Sequence, residues 1–356
     1  LKKIQIATEW DSIEKRLQEP AFWYFISNSD QRYPTRIEYI FDLMKGKKES
    51  DEAFFTFHQF AAEFRDGASQ VDAELLWQQV KGYFLTFEEW FQDKELYHLI
   101  GFLVACGEPV KELKALSEQK NTTKTEFKKL LRSRIQAQIG SGGIEELNYR
   151  SDAALIRKIL LLFSVETLLA STEAEVRFPF DRYKKERWDI EHIRSQAELP
   201  STPKAQAEWL NIIIDYFTQQ PSNTEQEQCL LTQLQQQLES GNFEKDFQDL
   251  YSKVMHHFND GSDKTKDSWL DMLGNLALLD TTTNRSYKNA PFQVKRDRII
   301  RNDRQGAFMP IGTKNVFLKY YSKSATNLLS WTHVDAEDYL KAITEVLKPY
   351  FSEEHA

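Results

Sequence analysis

The chain has 356 residues, of which 41% are hydrophobic, and it carries a formal net charge of −8 at pH 7. This length and apolar content allow two domains, each with its own core. The most apolar stretch, residues 159–163, is far shorter than the roughly 20 residues of a membrane span. The sequence therefore predicts no transmembrane helix. The negative balance argues against an electrostatic grip on nucleic acid by the protein as a whole, but local basic patches can bind phosphate, so the net charge alone decides nothing.

The start of the sequence and its cysteines indicate a cellular compartment. The sequence opens on Leu1 with no signal peptide, so we expect it to be part of a longer protein. Cys106 and Cys229 lie far apart with no second cysteine or histidine cluster nearby. Neither a disulfide framework nor a zinc site is indicated, and we expect a cytoplasmic protein.

The first part of the chain has a helical pattern. Apolar residues recur at spacings of three and four up to about residue 170, which predicts an all-helical N-terminal domain over residues 1–170. Thr123 and Glu126 form a capping box at the start of one of these helices. We expect the aromatic residues of one stretch to form a helix core and not a stacking platform for bases. They are Phe54, Phe55, Phe57, Phe60 and Phe64.

The second part, residues 171–356, mixes extended and helical patterns. Residues 176–180 and 187–193 are predicted to be extended, with a polar turn between them, and residues 273–280 form a second short strand. Between them, residues of about 203–260 predict a helical insertion that starts at Thr202 and Pro203.

A basic helix follows the second predicted strand. From Arg285 to Arg304 there are seven Lys or Arg and two Asp residues, a local excess of five positive charges. Strand, strand and basic helix make a ββα arrangement, with the insertion folded out of the way. The fold class predicted for the whole chain is mainly α, or α+β overall.

The chemistry of the two predicted strands points to phosphodiester cleavage. The first delivers a carboxylate and an imidazole side by side, at Glu191 and His192. The second is preceded by Asn275 and runs into a polar segment with Asn284. An imidazole suits a general base near pH 7, and carboxylate and amide oxygens suit a hard divalent cation.

Five segments in this order resemble the HNH (His-Me finger) nucleases, specifically the C-terminal HNH domain of GmrSD-type modification-dependent restriction enzymes and related phage-defence proteins. A further segment, residues 22–42, is similar to the helical middle region of the same proteins. Glu and His alone would carry almost no weight, whereas five ordered segments over about half the chain are specific. The five segments are Ile-Glu-His-Ile at residues 190–193, Leu-Gly-Asn-Leu-Ala-Leu-Leu at 273–279, Asn-Arg-Ser-Tyr-Lys-Asn at 284–289, Phe-Gln-Val-Lys-Arg at 292–296, and Met-Pro-Ile-Gly-Thr-Lys-Asn-Val-Phe at 309–317.

The resemblance implies a role for each residue. His192 would be the general base, and Asn275 would fix the loop that presents it by backbone hydrogen bonds. Glu191 and Asn284 would hold one divalent cation, Mg²⁺ being expected and Mn²⁺ the alternative, with Asp189 as the next candidate ligand. Because neighbours on a strand point to opposite faces, this ligand set needs a bend between Glu191 and His192, and we expect one.

The same resemblance suggests contacts with the substrate. Lys288, Lys295 and Arg296 are candidates for binding DNA phosphates, and a plain surface charge is the alternative for each. In the GmrSD-type proteins a ParB-like domain precedes these regions, and its motif does not occur here. That absence fits a chain that lacks this domain.

The function expected from these arguments is that of a metal-dependent DNA endonuclease in restriction of modified or phage DNA. Its expected partners are DNA and the missing ParB-like domain, with an oligomer left open and no membrane involved. Two alternatives remain. One is a regulatory or assembly module whose nuclease is latent without the missing domain. The other is a ribonuclease, because nothing in the sequence reads a 2′-hydroxyl.

Overall fold

A computed structural model describes residues 2–28, 33–65, 73–140, 142–171, 176–196, 199–221, 223–243, 246–258, 268–280, 289–323 and 328–351. Helices dominate these residues, and the expectation of a mainly α protein is confirmed. No helix in the described ranges is both long and apolar enough to cross a membrane. The chain divides into two compact units.

Unit 1 comprises Leu1–Gly140, Ser171–Lys185 and Ser352–Ala356. All of its regular elements within the described ranges are helices. Its helices are α1 Lys2–Leu17, α2 Pro20–Ile26, α3 Ile37–Lys45, α4 Phe55–Arg65, α5 Ala73–Gln92, α6 Lys94–Ala105, α7 Val110–Ser117, α8 Lys124–Ile139 and α10 Phe180–Lys185.

Local sequence signals account for several helix starts in unit 1. The Thr123 hydroxyl accepts a hydrogen bond from the Glu126 amide, and the Glu126 carboxylate accepts one from the Thr123 amide, so the predicted capping box of α8 is confirmed. Asp93 caps α6 through the amides of Glu95 and Leu96. α6 is buried along nearly its whole length and lies at the centre of the unit.

Unit 2 comprises Ser141–Ala170 and Glu186–Phe351. Two short strands and several helices make up its described part. The elements are α9 Tyr149–Ala170, β1 Asp189–His192, α11 Pro203–Thr218, α12 Glu225–Ser240, α13 Phe247–His257, β2 Leu276–Leu279, α14 Phe292–Arg304, α15 Ile311–Phe317 and α16 His333–Leu347, together with four short 3₁₀ turns at Ile144–Glu146, Ser268–Asp271, Leu273–Asn275 and Lys348–Tyr350.

The two strands form an antiparallel sheet. Asp189 pairs with Leu279 at one end and His192 with Leu276 at the other. All four residues of β2 are buried, because α9 and α15 pack against this strand. A strand of four apolar residues in a row is typical of burial on both faces.

Close packing holds the 3₁₀ turn Leu273–Asn275 against α16. A Cβ atom built on Gly274 would lie only 2.4 Å from the backbone oxygen of Ala336 in α16. Real Cβ atoms do not come this close to an oxygen, so glycine is required at this position for packing.

The insertion folds as three helices close to the limits predicted from the sequence. α11 begins at Pro203 after the Thr202 cap, as predicted. α11 also packs against α14, where the Gln293 amide donates a hydrogen bond to the Tyr216 hydroxyl. The insertion is therefore part of unit 2 and is not folded out of the way as expected.

Two sequence expectations for segments of unit 1 are wrong. The stretch 176–180 is not a strand: the Phe178 amide donates to the His98 ring at 3.0 Å, and the Phe178 carbonyl accepts from the Tyr97 hydroxyl at 2.7 Å. These side chains of α6 satisfy backbone groups that a strand would pair with a neighbouring strand. α10 then replaces the predicted turn. Three of the residues expected in a helix core are exposed: Phe54, just before α4, and Phe57 and Phe64 on it.

The division into units also differs from the predicted boundary near residue 171. α9 belongs to unit 2, because it packs on both strands and on α15 and α16. The segment after it, Ser171–Lys185, returns to unit 1, where α10 packs on α2 and α6. The chain therefore passes between the units more than once.

Candidate active site

Neighbouring residues of β1 face opposite sides of the sheet. Strand pairing continues through both Glu191 and His192, opposite Ala277 and Leu276. The two side chains accordingly have separate surroundings, as alternation in a strand requires. The bend expected between them is absent, and the chain turns only after His192, at Ile193 and Arg194.

Asn275 fixes the loop that follows His192. Its side-chain oxygen accepts a hydrogen bond from the Arg194 amide at 2.9 Å, and its amide nitrogen donates to the carbonyls of Arg194 at 3.0 Å and Leu270 at 2.8 Å. Its own carbonyl accepts from the Ile193 amide at 2.8 Å. Asn275 is fully buried, so these bonds are shielded from water. One side chain thus joins the end of β1 to the turn before β2.

On the other face of the sheet, the His192 imidazole lies in a polar cluster. Its Nε2 is 3.1 Å from an Asp271 carboxylate oxygen, and the same oxygen accepts a hydrogen bond from the Gln196 amide. The ring of Tyr149 meets the imidazole edge to face, with centroids 5.0 Å apart. The His192 side chain is 18% exposed, so it is held by its neighbours and still reaches solvent.

The first turn of α9 brings a cation to this cluster. Asn148 bridges Met272 and accepts a hydrogen bond from the Arg150 amide at 3.0 Å. The Arg150 guanidinium donates to the second oxygen of Asp271 at 2.7 Å. Both oxygens of Asp271 are therefore engaged, one by Arg150 and one by the His192 side of the cluster, and this fixes the carboxylate plane.

Behind the sheet, Glu191 forms a buried ion pair with Lys295 of α14. The Lys295 ammonium donates to Glu191 and also to the His192 carbonyl at 2.7 Å. Burial raises the pKa of Glu191, and the adjacent Lys295 opposes that shift. Only 1% of Lys295 is exposed, so its predicted contact with a DNA phosphate is replaced by a structural role that joins α14 to β1.

Asp189 lies on the same face of β1 as Glu191 and has its own partner. The Arg157 guanidinium of α9 donates to its carboxylate at 2.8 Å and to the Trp188 carbonyl. About half of the Asp189 side chain is exposed. This predicted metal ligand is thus engaged in an ion pair that links β1 to α9.

The remaining predicted residues are placed as follows. The Arg296 guanidinium donates to the Phe317 carbonyl at the end of α15, at 3.0 Å. Asn284 and Lys288 lie in residues 281–288, outside the described part of the chain. Within the described part, no group of three or more His, Cys, Asp or Glu residues could hold a metal ion.

The segment that carries this site has a family match. Residues 137–307 match the model of the GmrSD restriction endonucleases, C-terminal domain. The GmrSD match spans both strands, the insertion and α14, and it covers just under half of the chain. It supports a nuclease of the restriction-endonuclease type, with DNA as the substrate. No curated protein and no solved structure matches the chain.

Sequence reasoning missed four residues of the GmrSD-matched segment that surround His192. Gln196 lies four residues after His192, and Asp271 lies four residues before Asn275. Tyr149 and Arg150 are more than 40 residues away in sequence. Of the four, only Asp271 has a signal in the sequence, because it is an acidic residue just before the predicted second strand. A single acidic residue at such a place is too common to identify a site residue.

Proposed function

We propose that unit 2 is a metal-dependent HNH endonuclease that hydrolyses phosphodiester bonds in DNA. The observation that carries this proposal is the pairing of His192 with Asp271 on a loop fixed by buried Asn275. The match of this segment to restriction endonucleases supports the same conclusion. We propose further that the biological substrate is modified or phage DNA and that the enzyme acts in the cytoplasm.

In this proposal, His192 is the general base. We assign the tautomer in which Nε2 donates to Asp271, so that the proton from the attacking water goes to Nδ1 of the ring. The carboxylate stabilises the imidazolium that forms and holds the ring in one orientation, and Tyr149 limits its rotation from the side. Asp271 itself is a positioning residue, because it acts through His192.

The resemblance proposes Glu191 and Asn284 as ligands of a divalent cation, Mg²⁺ or Mn²⁺. The described geometry does not fit Glu191 to a cation at the His192 site, because its carboxylate lies on the opposite face of β1 and is paired with Lys295. Asn284 remains a proposed ligand. When bound, such an ion supplies Lewis-acid stabilisation of charge on the phosphate and on the leaving oxygen.

Contacts with DNA are proposed for Arg296 and Lys288. Arg296 is half-buried, and it lies on the basic helix α14. Lys288 precedes the same helix. Phosphate contacts of this kind carry no sequence information, so their loss would weaken binding to all DNA sequences alike.

The decisive experiment is nicking of supercoiled plasmid with Mg²⁺ or Mn²⁺, compared with EDTA. We expect His192→Ala to abolish divalent-dependent nicking, and Asp271→Asn to reduce its rate by about 10- to 100-fold. The matched control is His256→Ala, an exposed histidine on α13 in the same unit, which should cut normally.

Repeating the assay with cytosine-modified plasmid and with RNA as substrates separates the competing functions. Preference for cytosine-modified plasmid would place recognition of the modification within this chain. Cleavage of RNA in place of DNA would instead identify a ribonuclease. A folded, metal-bound protein that cuts neither would contradict the proposal and favour a latent regulatory or assembly module that needs the ParB-like domain.

A further inference from the structure

Unit 1 contains a cavity of about 810 Å³ that is separate from the proposed nuclease. It lies between α3, α4 and the connection that joins them. Residues of all three parts line it, together with Tyr33 and Pro34, which precede α3. This volume is within the range of sites that bind small molecules.

The cavity has aromatic walls that the protein leaves open to solvent. Tyr33, Phe41, Phe54, Phe57 and Phe60 line it. Phe54 is 69% exposed and Phe57 is 66% exposed, although the sequence pattern predicts a helix core here. Large apolar side chains gathered in the open around a concave surface are typical of a binding site.

The polar groups of the cavity are mostly acidic. Glu38, Asp42, Glu49 and Asp51 line it, against the single cation Lys47. Their formal charges leave an excess of three negative charges, which disfavours a phosphate or other anion as the occupant.

One of these carboxylates, that of Asp42, is buried and hydrogen-bonded. Asp42 is 7% exposed and accepts hydrogen bonds from the Thr56 hydroxyl at 2.5 Å and the Tyr33 hydroxyl at 3.0 Å. The Lys47 ammonium is 3.7 Å from Asp42 and donates to the Ala53 carbonyl at 2.8 Å. Lys47 therefore offsets Asp42. Glu38 accepts a hydrogen bond from the Thr35 hydroxyl and Asp51 one from the Lys48 amide, and neither of these neutral donors offsets a full charge.

We propose that this cavity binds a small organic cation, an ammonium flanked by methyl or methylene groups. Aromatic faces attract such a cation, and neighbouring carboxylates add to the attraction. The unit contains several examples of this chemistry, among them the Lys45 and Lys114 ammonium groups, each 4.1 Å from the centre of an aromatic ring, Phe60 and Tyr83 respectively. A neutral molecule of the same shape would gain only the apolar contacts with these walls.

The test uses choline and 3,3-dimethyl-1-butanol, two probes of the same shape that differ in the positive charge. Their dissociation constants for the full chain are measured by ligand-observed NMR titration. We expect choline to bind at least about tenfold more tightly than the neutral probe, because charge and apolar contact act together. Equal affinity for the two probes, or binding of neither, would overturn the proposal.

Two pairs of variants locate the site. Phe57→Ala removes a wall and should weaken choline binding about fivefold, whereas Phe64→Ala changes the same residue type on α4 outside the cavity lining and should not. Asp51→Asn should weaken choline binding, and Glu52→Gln, an exposed neighbour outside the lining, should not. Equal effects within a pair would place the bound cation elsewhere. The titration needs neither DNA nor a metal, so its outcome is independent of the nuclease assay.

Discussion

Replacement of Asn275 by alanine tests the link between the two strands. The substitution removes three hydrogen bonds at once, one from the Arg194 amide and two to the carbonyls of Arg194 and Leu270. Residue 275 is fully buried, so the substitution withdraws hydrogen bonds that its side chain makes away from water.

The expected cost follows from these three groups. A buried backbone group that loses its partner costs about 1–3 kcal/mol. Three such groups give at least about 3 kcal/mol, since the small cavity left by the side chain adds to the loss. This is a large part of the 5–15 kcal/mol of stability that is typical of a domain. The loop after His192 should also lose its fixed position, and nicking should fall with it.

Urea unfolding of the full chain, followed by circular dichroism, measures the stability. Asn211→Ala is the matched control: Asn211 is an exposed asparagine on α11 whose side chain bonds only within its own helix. We expect the control to change the free energy of unfolding by less than about 0.5 kcal/mol. A loss below about 1 kcal/mol for Asn275→Ala would refute the idea that these hydrogen bonds hold the loop.

Three further predictions concern packing, charge and pH. Gly274→Ala should destabilise unit 2 by about 1–3 kcal/mol in thermal or urea unfolding, whereas Gly82→Ala, with no atom near the added methyl group, should be neutral or slightly stabilising. Lys295→Met should lower the free energy of unfolding by about 3–5 kcal/mol, because it leaves the buried Glu191 carboxylate without its cation. Adding Glu191→Gln should recover much of that loss in a double-mutant cycle. Simple additivity of the two substitutions would contradict the ion pair. Burial lowers the pKa of His98 to about 4, against 6.5 in the unfolded chain. The unfolded state therefore binds more protons in this range, and unfolding free energy should fall by about 2 kcal/mol from pH 7 to pH 5; an equally steep fall in His98→Gln would show that other groups are responsible.

Short-range signals predicted the helices well. The capping pair of α8 and the Thr-Pro start of α11 each act within one turn, so the sequence contains the whole interaction. The second strand was also predicted, because a short apolar run before polar residues is a local pattern. Its first residues, Leu273–Asn275, form a 3₁₀ turn that the apolar pattern does not distinguish from a strand.

The wrong predictions concern residues whose contacts lie far away in the sequence. Lys295 is part of a basic helix, and its burial depends on Glu191, more than 100 residues earlier in the chain. Phe178 and Phe180 read as a strand, but the Tyr97 and His98 side chains of α6 supply the hydrogen bonds instead. Asp271 became visible as the partner of His192 only when β1 and β2 were paired. None of these contacts has a signature in its own segment.

The pairing of β1 with β2 has a consequence for the order of synthesis. Residues 189–192 emerge from the ribosome well before their partners at 276–279, with the whole of α11–α13 in between. Bacterial or eukaryotic translation needs on the order of 4–16 s for such a stretch of about 80 residues. His192 therefore lacks both its Asn275-anchored loop and Asp271 while the chain grows. A nascent chain cannot complete the proposed cutting site until most of unit 2 has been made.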